Sequence, residues 1–403
     1  MTAMFQRKIT ASRAIAMVHS SIHPLNSELI KFSDASGRVL AADIHACCDH
    51  PPFDRAAMDG YAVIASSTFY ATPENPIRLR EGSEAVRIMT GKPVPEGFDA
   101  VVMMEYTREA GEGIIEISRA VVPGKNVASR GEDIRAGSLI LGKGRRLLPH
   151  DLGTLAAAGV TSVPVLRSPV VAIISTGDEI VDPEELDDAG RRAGKVADIN
   201  SFTLASLVAD AGGKPVRCGI VKDEFETLKR AIRSVSGFDL ILVSGGSSVG
   251  DKDYLAAIID QLGELLFHGV SVKPGGPVGF GFLDQTPVFI LPGYPVAAIV
   301  AFELFVRPAL NIMQGLDAGM MPYKVIRAEL LRKIPSQVGR LDFVRVKIQN
   351  KEGKIALEPL GTGGSGSIGR MSVADGFILV DEPLEGIDAG SMVEAYCYPV
   401  VEV

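Results

Sequence analysis

The chain has 403 residues, of which 46% are hydrophobic, and a chain of this size buries substantial cores in roughly two to four domains. Its 49 Asp and Glu residues outnumber its 41 Lys and Arg residues, and the net charge of −8 excludes a general attraction for nucleic acid or for an anionic membrane. Any anionic substrate must therefore be held by local groups.

The N-terminal residues and the cysteines indicate in which cell compartment the protein is expected. The opening "MTAMFQRKITASRAIAMV" lacks the uninterrupted apolar core of a signal peptide, and no later segment has the length of uncharged apolar sequence that a membrane helix needs. Four cysteines do not form a disulfide framework in a chain of this length, which is typical of a reducing compartment. We expect a cytoplasmic protein with no nucleic-acid or membrane partner.

The N-terminal part of the chain, residues 1–168, is predicted to be a mixed region with an inserted β-rich module. "ITASRAIAMVHSSI" has a Thr or Ser cap followed by apolar residues at helical spacing, which predicts an amphipathic helix. Short apolar runs separated by Gly and Pro then predict strands in "YAVIAS", "AVRIMTG", "AVVMMEYT" and "GIIEISRAVV". A helix that Gly159 ends is predicted in "LPHDLGTLAAAG", and a strand follows in "VTSVPVLRSP".

One cluster in this region has the chemistry of a zinc site. "HACCDH" contains His45, Cys47, Cys48 and His50. Along an extended strand, alternation sends the first two of these to one face and the last two to the other, so convergence on one ion requires a broken strand. We therefore interpret them as partly buried cysteines and surface histidines.

Strands alternate with helices over residues 169–314. Strands are predicted in "PVVAIIST", "KPVRCGIV" and "FDLILVSGG", and helices in "NSFTLASLVADAGG", with an Asn or Ser cap, and "DEFETLKRAIRSV". A helix around "DYLAAIIDQL", strands in "LLFHGVSV", "GPVGFGF" and "PVFIL", and the long apolar helix "PVAAIVAFELFV" follow. This alternation predicts a mainly parallel, doubly wound sheet with helices on both faces.

Residues 323–403 contain short strand patterns with Gly-rich connections and almost no helical signal, which predicts a small β-barrel. The predicted fold class is therefore multidomain α/β. It combines N-terminal mixed α+β and β-rich modules, a central doubly wound α/β domain and a C-terminal barrel.

The ends of the central strands carry residues suited to an anion site, and ligands bind beyond the carboxyl ends of such strands. Glycines expose backbone N–H groups to an oxyanion, and the elbow "LPGYP" starts a helix whose first N–H groups face the same edge. The residues at these ends are Thr176, Glu179, Ser244, Gly245, Gly246, Ser247, Asp251, Pro292, Gly293, Pro295 and, on a further strand, Lys273.

The stretch "LILVSGGSSVGDKDY" adds two aspartates, Asp251 and Asp253, to a Gly/Ser loop. Carboxylates repel a bound anion unless a cation lies between them, so this loop predicts a phosphate and a metal ion in one pocket. Each loop alone is equally well explained as a strand-to-helix turn, but three loops at one edge favour a binding site. "GTGGSG" at 361–366 matches a dinucleotide motif, yet no helix follows it, so we interpret it as a barrel loop.

The order and spacing of seven motifs resemble those of the MoeA family, the molybdopterin molybdenumtransferases, which are similar to the E domain of gephyrin. The motifs are "PPFDRAAMDGYAV", "RIMTGKPVP", "GED", "STGDEI", "SGGSSVGDKDY", "VKPGGP" and "LPGYPVA". The resemblance implies a role in molybdenum cofactor biosynthesis: molybdate is inserted into adenylylated molybdopterin, which the central domain binds, and AMP is released with a divalent metal such as Mg²⁺.

The resemblance also assigns residues by motif. It implies catalytic roles for Asp59, Asp133, Glu179 and Asp251, of which Glu179 and Asp251 hold the metal. Beyond the strand-end residues above, the substrate-binding residues that it implies are Thr90, Asn200, Asp223, Arg345 and Ser365. An elongated homodimer is also expected, with the adenylyltransferase that makes its substrate as a functional partner.

Two departures and two alternatives accompany this interpretation. Gly276 replaces a second lysine that is common in the family, which puts one contact to the substrate anion in doubt, and Arg55 and Ala56 replace a frequent Asn-Ser. Tungstate in place of molybdate stays open. The alternatives are adenylylation of molybdopterin, whose enzymes usually consist of the α/β domain alone, and a non-catalytic scaffold of the gephyrin kind, against which the intact carboxylates argue.

Overall fold

The computed structural model describes residues 8–245, 254–351, 353–361 and 366–399. Contacts within the chain divide it into two compact units. The large unit contains Met1–Asn26 and Leu166–Val403, and the small unit contains Ser27–Val165. Each unit has its own buried core and is described by itself. The finer domain limits proposed from the sequence stay a prediction.

The large unit begins with strand β1 (Ile9–Thr10) and helix α1 (Ala11–Ser21). The Thr10 hydroxyl accepts the backbone N–H of Arg13 at 3.3 Å, so Thr10 caps the helix as its sequence predicts. The face that α1 buries consists of Ala11, Ala14 and Val18.

The small unit contains short strands, helix α2 (Pro149–Ala157) and three 3₁₀ turns. The strands are β2 (Ser27–Lys31), β3 (Ile44–His45), β4 (Arg55–Ala56), β5 (Gly60–Val63), β6 (Ile77–Arg80), β7 (Ala85–Ile88), β8 (Ala100–Met103), β9 (Thr107–Glu109), β10 (Ile114–Ile117), β11 (Val127–Ala128), β12 (Leu139–Leu141) and β13 (Ser162–Leu166). Two antiparallel sheets, β7-β5-β8 and β6-β10-β9, form the predicted β-rich module around Tyr61 and Ile115.

The large unit continues with an alternation of strands and helices. These are β14 (Val170–Thr176), β15 (Ile180–Val181), α3 (Asp188–Arg192), β16 (Val196–Ala197), α4 (Asn200–Asp210), β17 (Lys214–Val221), α5 (Phe225–Ser234), β18 (Leu240–Ser244), α6 (Tyr254–Leu262), β19 (Glu264–His268), β20 (Val270–Lys273), β21 (Gly279–Leu283), β22 (Thr286–Leu291), α7 (Pro295–Ala301) and α8 (Arg307–Met313).

A six-stranded sheet of order β17-β14-β18-β22-β21-β19 forms the centre of the large unit. The first four strands run parallel, and the last two are antiparallel to their neighbours. Alternate residues of β14 face different cores: Val171 and Ile173 pack with α4, α7 and α8, whereas Ala172 and Ile174 pack with α5 and α6. The doubly wound prediction is therefore confirmed.

The C-terminal strands close into the predicted barrel. They are β23 (Lys324–Leu330), β24 (Ile334–Pro335), β25 (Leu341–Lys351), β26 (Lys354–Pro359), β27 (Gly376–Val380), β28 (Gly386–Ile387) and β29 (Met392–Cys397), with helix α9 (Ile368–Ser372) between β26 and β27. The order β25-β26-β23-β29-β27 closes because β27 also pairs with β25. Strand β20 pairs with β25 and β1, so "LLFHGVSV" divides between the central sheet and this one.

One helix of the large unit has the length of a membrane span, although Glu303 and Arg307 interrupt its apolar sequence. Helices α7 and α8 join through a π-helical turn, Phe302–Val306, into one helix over Pro295–Met313 that is long and apolar enough to span a membrane. Its most apolar window is 94% buried inside the protein. The helix therefore has the burial of a core element.

Candidate functional site

A cavity of about 900 Å³ lies in the large unit, at the carboxyl edge of the parallel strands. Its lining includes most of the strand-end residues and several of those assigned by motif. The predicted site residues that it brings together are Thr176, Glu179, Asn200, Asp223, Ser244, Gly245, Lys273, Pro292, Gly293, Pro295 and Arg345.

Parallel pairing explains why the loops meet. Ser175 of β14 is paired with Ser244 of β18, and Ser244 is paired with Leu291 of β22. All three strands end at the same level, so their loops emerge side by side at one edge. Runs that are distant in sequence thus share one cavity.

Gly245 makes the turn out of β18 possible. Its φ is +141°, and a β-carbon at this position would lie 2.1 Å from the carbonyl oxygen of Thr176. Only glycine allows the two backbones to approach so closely. The close approach of the Thr176 backbone therefore explains why glycine follows this strand.

Asn200 ties two of these loops together. Its Nδ2 donates to Ser244 Oγ at 2.8 Å and to the carbonyl oxygen of Gly293 at 2.9 Å. The predicted capping role of Asn200 or Ser201 is wrong, because Asp198 Oδ1 accepts the Ser201 backbone N–H at 3.0 Å. Asn200 is therefore free of the capping role and positions the cavity wall.

Two buried polar atoms beside the cavity lack a partner within the described chain. They are Thr176 Oγ1 and Asn200 Oδ1. A buried hydroxyl or amide oxygen without a hydrogen bond costs free energy, and a bound ligand or an ordered water can supply the missing partner. Both belong to residues that line this cavity.

Cationic groups reach the cavity from different elements. Lys273 is exposed at the end of β20, and Arg345 is 5% exposed on β25. Burial lowers the pKa of Arg345 from its usual range, and the nearby charge of Arg370 lowers this pKa further. A buried guanidinium beside a second cation gains stability from a bound anion.

Carboxylates also line the cavity. Glu179 and Asp223 face it, and the Asp223 backbone N–H donates to Asp178 Oδ1 at 3.3 Å. A β-carbon at Gly177 would lie 3.1 Å from both carboxylate oxygens of Glu179, so glycine leaves this carboxylate room. Within the described ranges, no three His, Cys, Asp or Glu side chains converge as in a metal site.

Two predicted residues of the small unit are in direct contact. Asp59 Oδ1 accepts the backbone N–H and the hydroxyl of Thr90, both at 2.7 Å. The backbone N–H and then the hydroxyl lower the pKa of Asp59, which keeps the carboxylate ionised. Asp133 is exposed, and its backbone N–H donates to the carbonyl oxygen of His50 at 3.2 Å.

Some predicted site residues lie outside the described residues. They are Gly246, Ser247, Asp251 and Ser365. The zinc-like segment is described, and its two cysteines, Cys47 and Cys48, are exposed rather than partly buried. Cys48 Sγ lies 3.7 Å from the carbonyl oxygen of Ala157, and His45 Nδ1 lies 3.1 Å from that of Gly137.

Family models match the chain over three consecutive regions. Residues 9–159 match the MoeA N-terminal region (domains I and II), residues 172–312 match a probable molybdopterin-binding domain, and residues 327–398 match the MoeA C-terminal region (domain IV). The chain belongs to the MoeA family. The resemblance drawn from the motifs is therefore confirmed.

Relatives and solved structures agree with this membership. A putative molybdopterin biosynthesis protein of Methanocaldococcus jannaschii is 39% identical over 90% of both chains. The molybdopterin molybdenumtransferase of Bacillus subtilis is 35% identical over 91% of this chain and 89% of its own. The crystal structure of the MoeA protein of Pyrococcus horikoshii has a TM-score of 0.79 and 33% identity, and the match covers 97% of this chain and all of that one.

The cavity of this MoeA protein also contains residues that sequence reasoning missed. They are Lys8, Asp198, Tyr294 and Asp342. Asp198 begins the "DINS" segment that contains Asn200, which is a signal in the sequence. Asp342 lies in "GRLDFVR" with Arg345, which resembles the family's "GRxDFxR" motif, so it too has a signal in the sequence. Lys8 has no such signal, because strand pairing over a long sequence distance brings it to the cavity.

Proposed function

We propose that this protein is a molybdopterin molybdotransferase, which inserts molybdate into adenylylated molybdopterin and releases AMP. One observation carries the proposal: the loops predicted to bind the substrate line a single cavity, in a chain that matches molybdopterin molybdenumtransferases over about nine-tenths of its length. The chain thereby takes part in molybdenum cofactor biosynthesis.

Charge explains how an acidic protein collects anionic substrates. Both molybdate and the phosphates of adenylylated molybdopterin are anionic, while the chain has a net charge of −8. Lys273 and Arg345 supply local positive charge at the cavity, which Gly245 also lines. The side chains of Lys273 and Arg345 orient the phosphates, and Asn200 holds the two loops in position.

The oxygen donors of this site suit a divalent cation, because Mg²⁺ is bound through carboxylates and substrate phosphates. Glu179 and Asp251 would hold the ion, and the space left by Gly177 accommodates the Glu179 carboxylate. Mg²⁺, when bound, screens the negative charge of the phosphoanhydride. Asp59 and Asp133 complete the set of carboxylates that we assign to catalysis.

We assign the reaction to the cytoplasm and to a homodimer, with the adenylyltransferase that makes the substrate as functional partner. The buried helix over Pro295–Met313 is a core element in this proposal. Nothing in the charge of the chain favours nucleic acid as a partner.

AMP release from adenylylated molybdopterin, in the presence of molybdate and Mg²⁺, tests the function directly. We expect release by the wild type and none by Asp251→Ala, with thermal midpoints that differ little, because a carboxylate that serves a metal contributes little to the fold. Asp260→Ala, which removes an exposed carboxylate on α6, is the matched control and should retain activity.

Three results would count against the proposal. One is near-normal AMP release by Asp251→Ala with a lowered midpoint, which indicates a structural cap. A second is rapid adenylylation of molybdopterin with Mg-ATP and no partner protein, which indicates the adenylyltransferase reaction. The third is failure of the folded protein to restore cofactor synthesis in a strain without the transferase, which indicates a scaffold.

A further inference from the structure

Lys8 reaches the cavity from the beginning of the chain. It precedes β1, whose residues Ile9 and Thr10 pair in parallel with Val270 and Ser271 of β20. The backbone N–H of Ile9 donates to the carbonyl oxygen of Gly269 at 3.2 Å. Because β20 ends at the cavity residue Lys273, this pairing sets Lys8 beside the same wall.

Two glycines shape the path of the Lys8 side chain. A β-carbon at Gly269 would lie 3.5 Å from Lys8 Cγ, and a β-carbon at Gly276 would lie 3.7 Å from Lys8 Nζ. The stem thus passes one glycine and the ammonium reaches the other. A longer side chain at either position would occupy this path, so the two glycines form a trough that guides the ammonium.

The charge of Lys8 is not neutralised by the described protein. Among the described residues, Lys8 Nζ has neither a hydrogen bond nor an ion pair, and the side chain is exposed. Two acidic residues of the same cavity are already engaged: Asp342 is paired with Arg340 at 2.6 Å, and Asp198 accepts Ser175 Oγ at 3.0 Å. Glu179 and Asp223 line the same cavity, and the Lys8 ammonium, which pairs with neither of them, is a positive charge that an anionic ligand can contact.

We propose that Lys8 is an anion-binding residue of this cavity and contacts a tetrahedral oxyanion of the substrates, either a phosphate or molybdate. The inference rests on the proposed function for the identity of that oxyanion. The proposal also explains how the site can lack the second lysine that Gly276 replaces, because the Lys8 ammonium approaches Gly276. A cation supplied from the N-terminal strand occupies the space that glycine leaves.

Steady-state kinetics of AMP release by Lys8→Met test the role of the charge. We expect the KM for the substrate whose oxyanion Lys8 contacts to rise about tenfold, as for loss of one charge-assisted hydrogen bond. A rise in the KM for molybdate alone assigns Lys8 to molybdate, and a rise for adenylylated molybdopterin alone assigns it to a phosphate. The difference from wild type should shrink as salt is raised.

Two further variants separate charge from structure. Lys8→Arg keeps the cation and should retain most of the affinity, with an unchanged thermal midpoint. Lys214→Met removes an exposed lysine at the opposite, amino-terminal end of β17 and should leave both KM values unchanged. Unchanged KM values in Lys8→Met would overturn the inference. So would a rise in KM in Lys8→Arg or in Lys214→Met that equals the rise in Lys8→Met.

Calorimetry with inorganic pyrophosphate separates this inference from the proposed function. Wild type that binds pyrophosphate more tightly than Lys8→Met, yet releases no AMP, supports the Lys8 site and contradicts the transferase. Wild type that releases AMP with the same kinetics as Lys8→Met supports the transferase and contradicts the Lys8 site. Molybdate is titrated in the same way, and equal binding of both pyrophosphate and molybdate by the two proteins, or no binding of either anion, counts against Lys8.

Discussion

Asn200 shows how one buried side chain can organise a binding site. It is 8% exposed, and its amide bridges the end of β18 and the elbow before α7. Asn311 is a natural comparison, because it is 5% exposed and donates to the carbonyl oxygen of Met320 at 2.7 Å without lining the cavity. The two residues have similar chemistry in different places.

We predict that Asn200→Ala and Asn311→Ala each lower the free energy of unfolding by about 1–3 kcal/mol, because each removes a hydrogen bond from a buried amide side chain to a backbone carbonyl. Only Asn200→Ala should also raise the KM for adenylylated molybdopterin, because only this substitution removes the hydrogen bonds that hold two substrate loops together. Urea unfolding and AMP-release kinetics measure the two effects. Equal KM values in both variants would show that Asn200 serves stability alone.

The pair formed by Asp59 and Thr90 gives a prediction about pH. Thr90→Val removes the hydroxyl but keeps the backbone N–H, so the lowered pKa of Asp59 should rise part of the way to its usual value. NMR titration of the Asp59 carboxyl carbon measures this change. Thr107→Val, which removes a hydroxyl that donates to the carbonyl oxygen of Met104, is the control and should not shift the titration.

The sign of the linkage follows from the lowered pKa. A carboxylate whose pKa is lower in the folded chain adds stability above its unfolded pKa, about 3.9 for Asp, and loses this contribution as pH falls through the folded value. Thr90→Val should narrow the pH range between the folded and unfolded pKa values of Asp59, over which this contribution to stability is lost. An unchanged Asp59 pKa in this variant would show that the backbone N–H alone holds the carboxylate.

At the scale of elements, the turn after β18 depends on a backbone approach. We predict that Gly245→Ala lowers the free energy of unfolding by about 1–3 kcal/mol, since its β-carbon would meet the Thr176 carbonyl oxygen at 2.1 Å. Gly237→Ala, which has no neighbour within 4 Å, is the control and should change it by less than about 0.5 kcal/mol. Equal midpoints of the two variants in urea would contradict this account.

The central sheet could be predicted well because the signals for its strands and helices lie within short segments of the sequence. Apolar strands such as β14 and β18, capped helices such as α1, and glycine at the strand ends are all readable from a few neighbouring residues. Three strand-end loops converge on the cavity because parallel strands end at one edge, which is a general rule of such sheets. Seven predicted site residues of these loops line it for that reason: Thr176, Glu179, Ser244, Gly245, Pro292, Gly293 and Pro295.

Long-range pairing could not be predicted in the same way. "LLFHGVSV" is continuous in sequence, yet Gly269 separates β19 in the central sheet from β20, which pairs with β1 and β25. Lys8 and Asp342 reach the cavity through these pairings. No periodicity within either segment specifies its partner, because strand partners are chosen by tertiary packing.

At the scale of the whole molecule, the carboxylates assigned to catalysis are divided between the two units. Asp59 and Asp133 belong to the small unit, and Glu179 and Asp251 belong to the large unit. Units joined only within one chain usually share small, mobile interfaces, whereas a homodimer interface can fix a cleft. This division is a physical reason to expect that two subunits contribute to each reaction site.

We predict that a mixture of Asp59→Ala and Asp251→Ala subunits, dissociated and reassociated, recovers about a quarter of wild-type AMP release. Random pairing makes half of the dimers mixed, and each mixed dimer has one intact site if the carboxylates come from different subunits. Asp59→Ala mixed with Asp133→Ala is the control and should recover nothing, because both changes lie in the small unit. Native mass spectrometry establishes that mixed dimers form. If they form and both mixtures stay inactive, the cleft belongs to one chain and the assembly prediction is wrong.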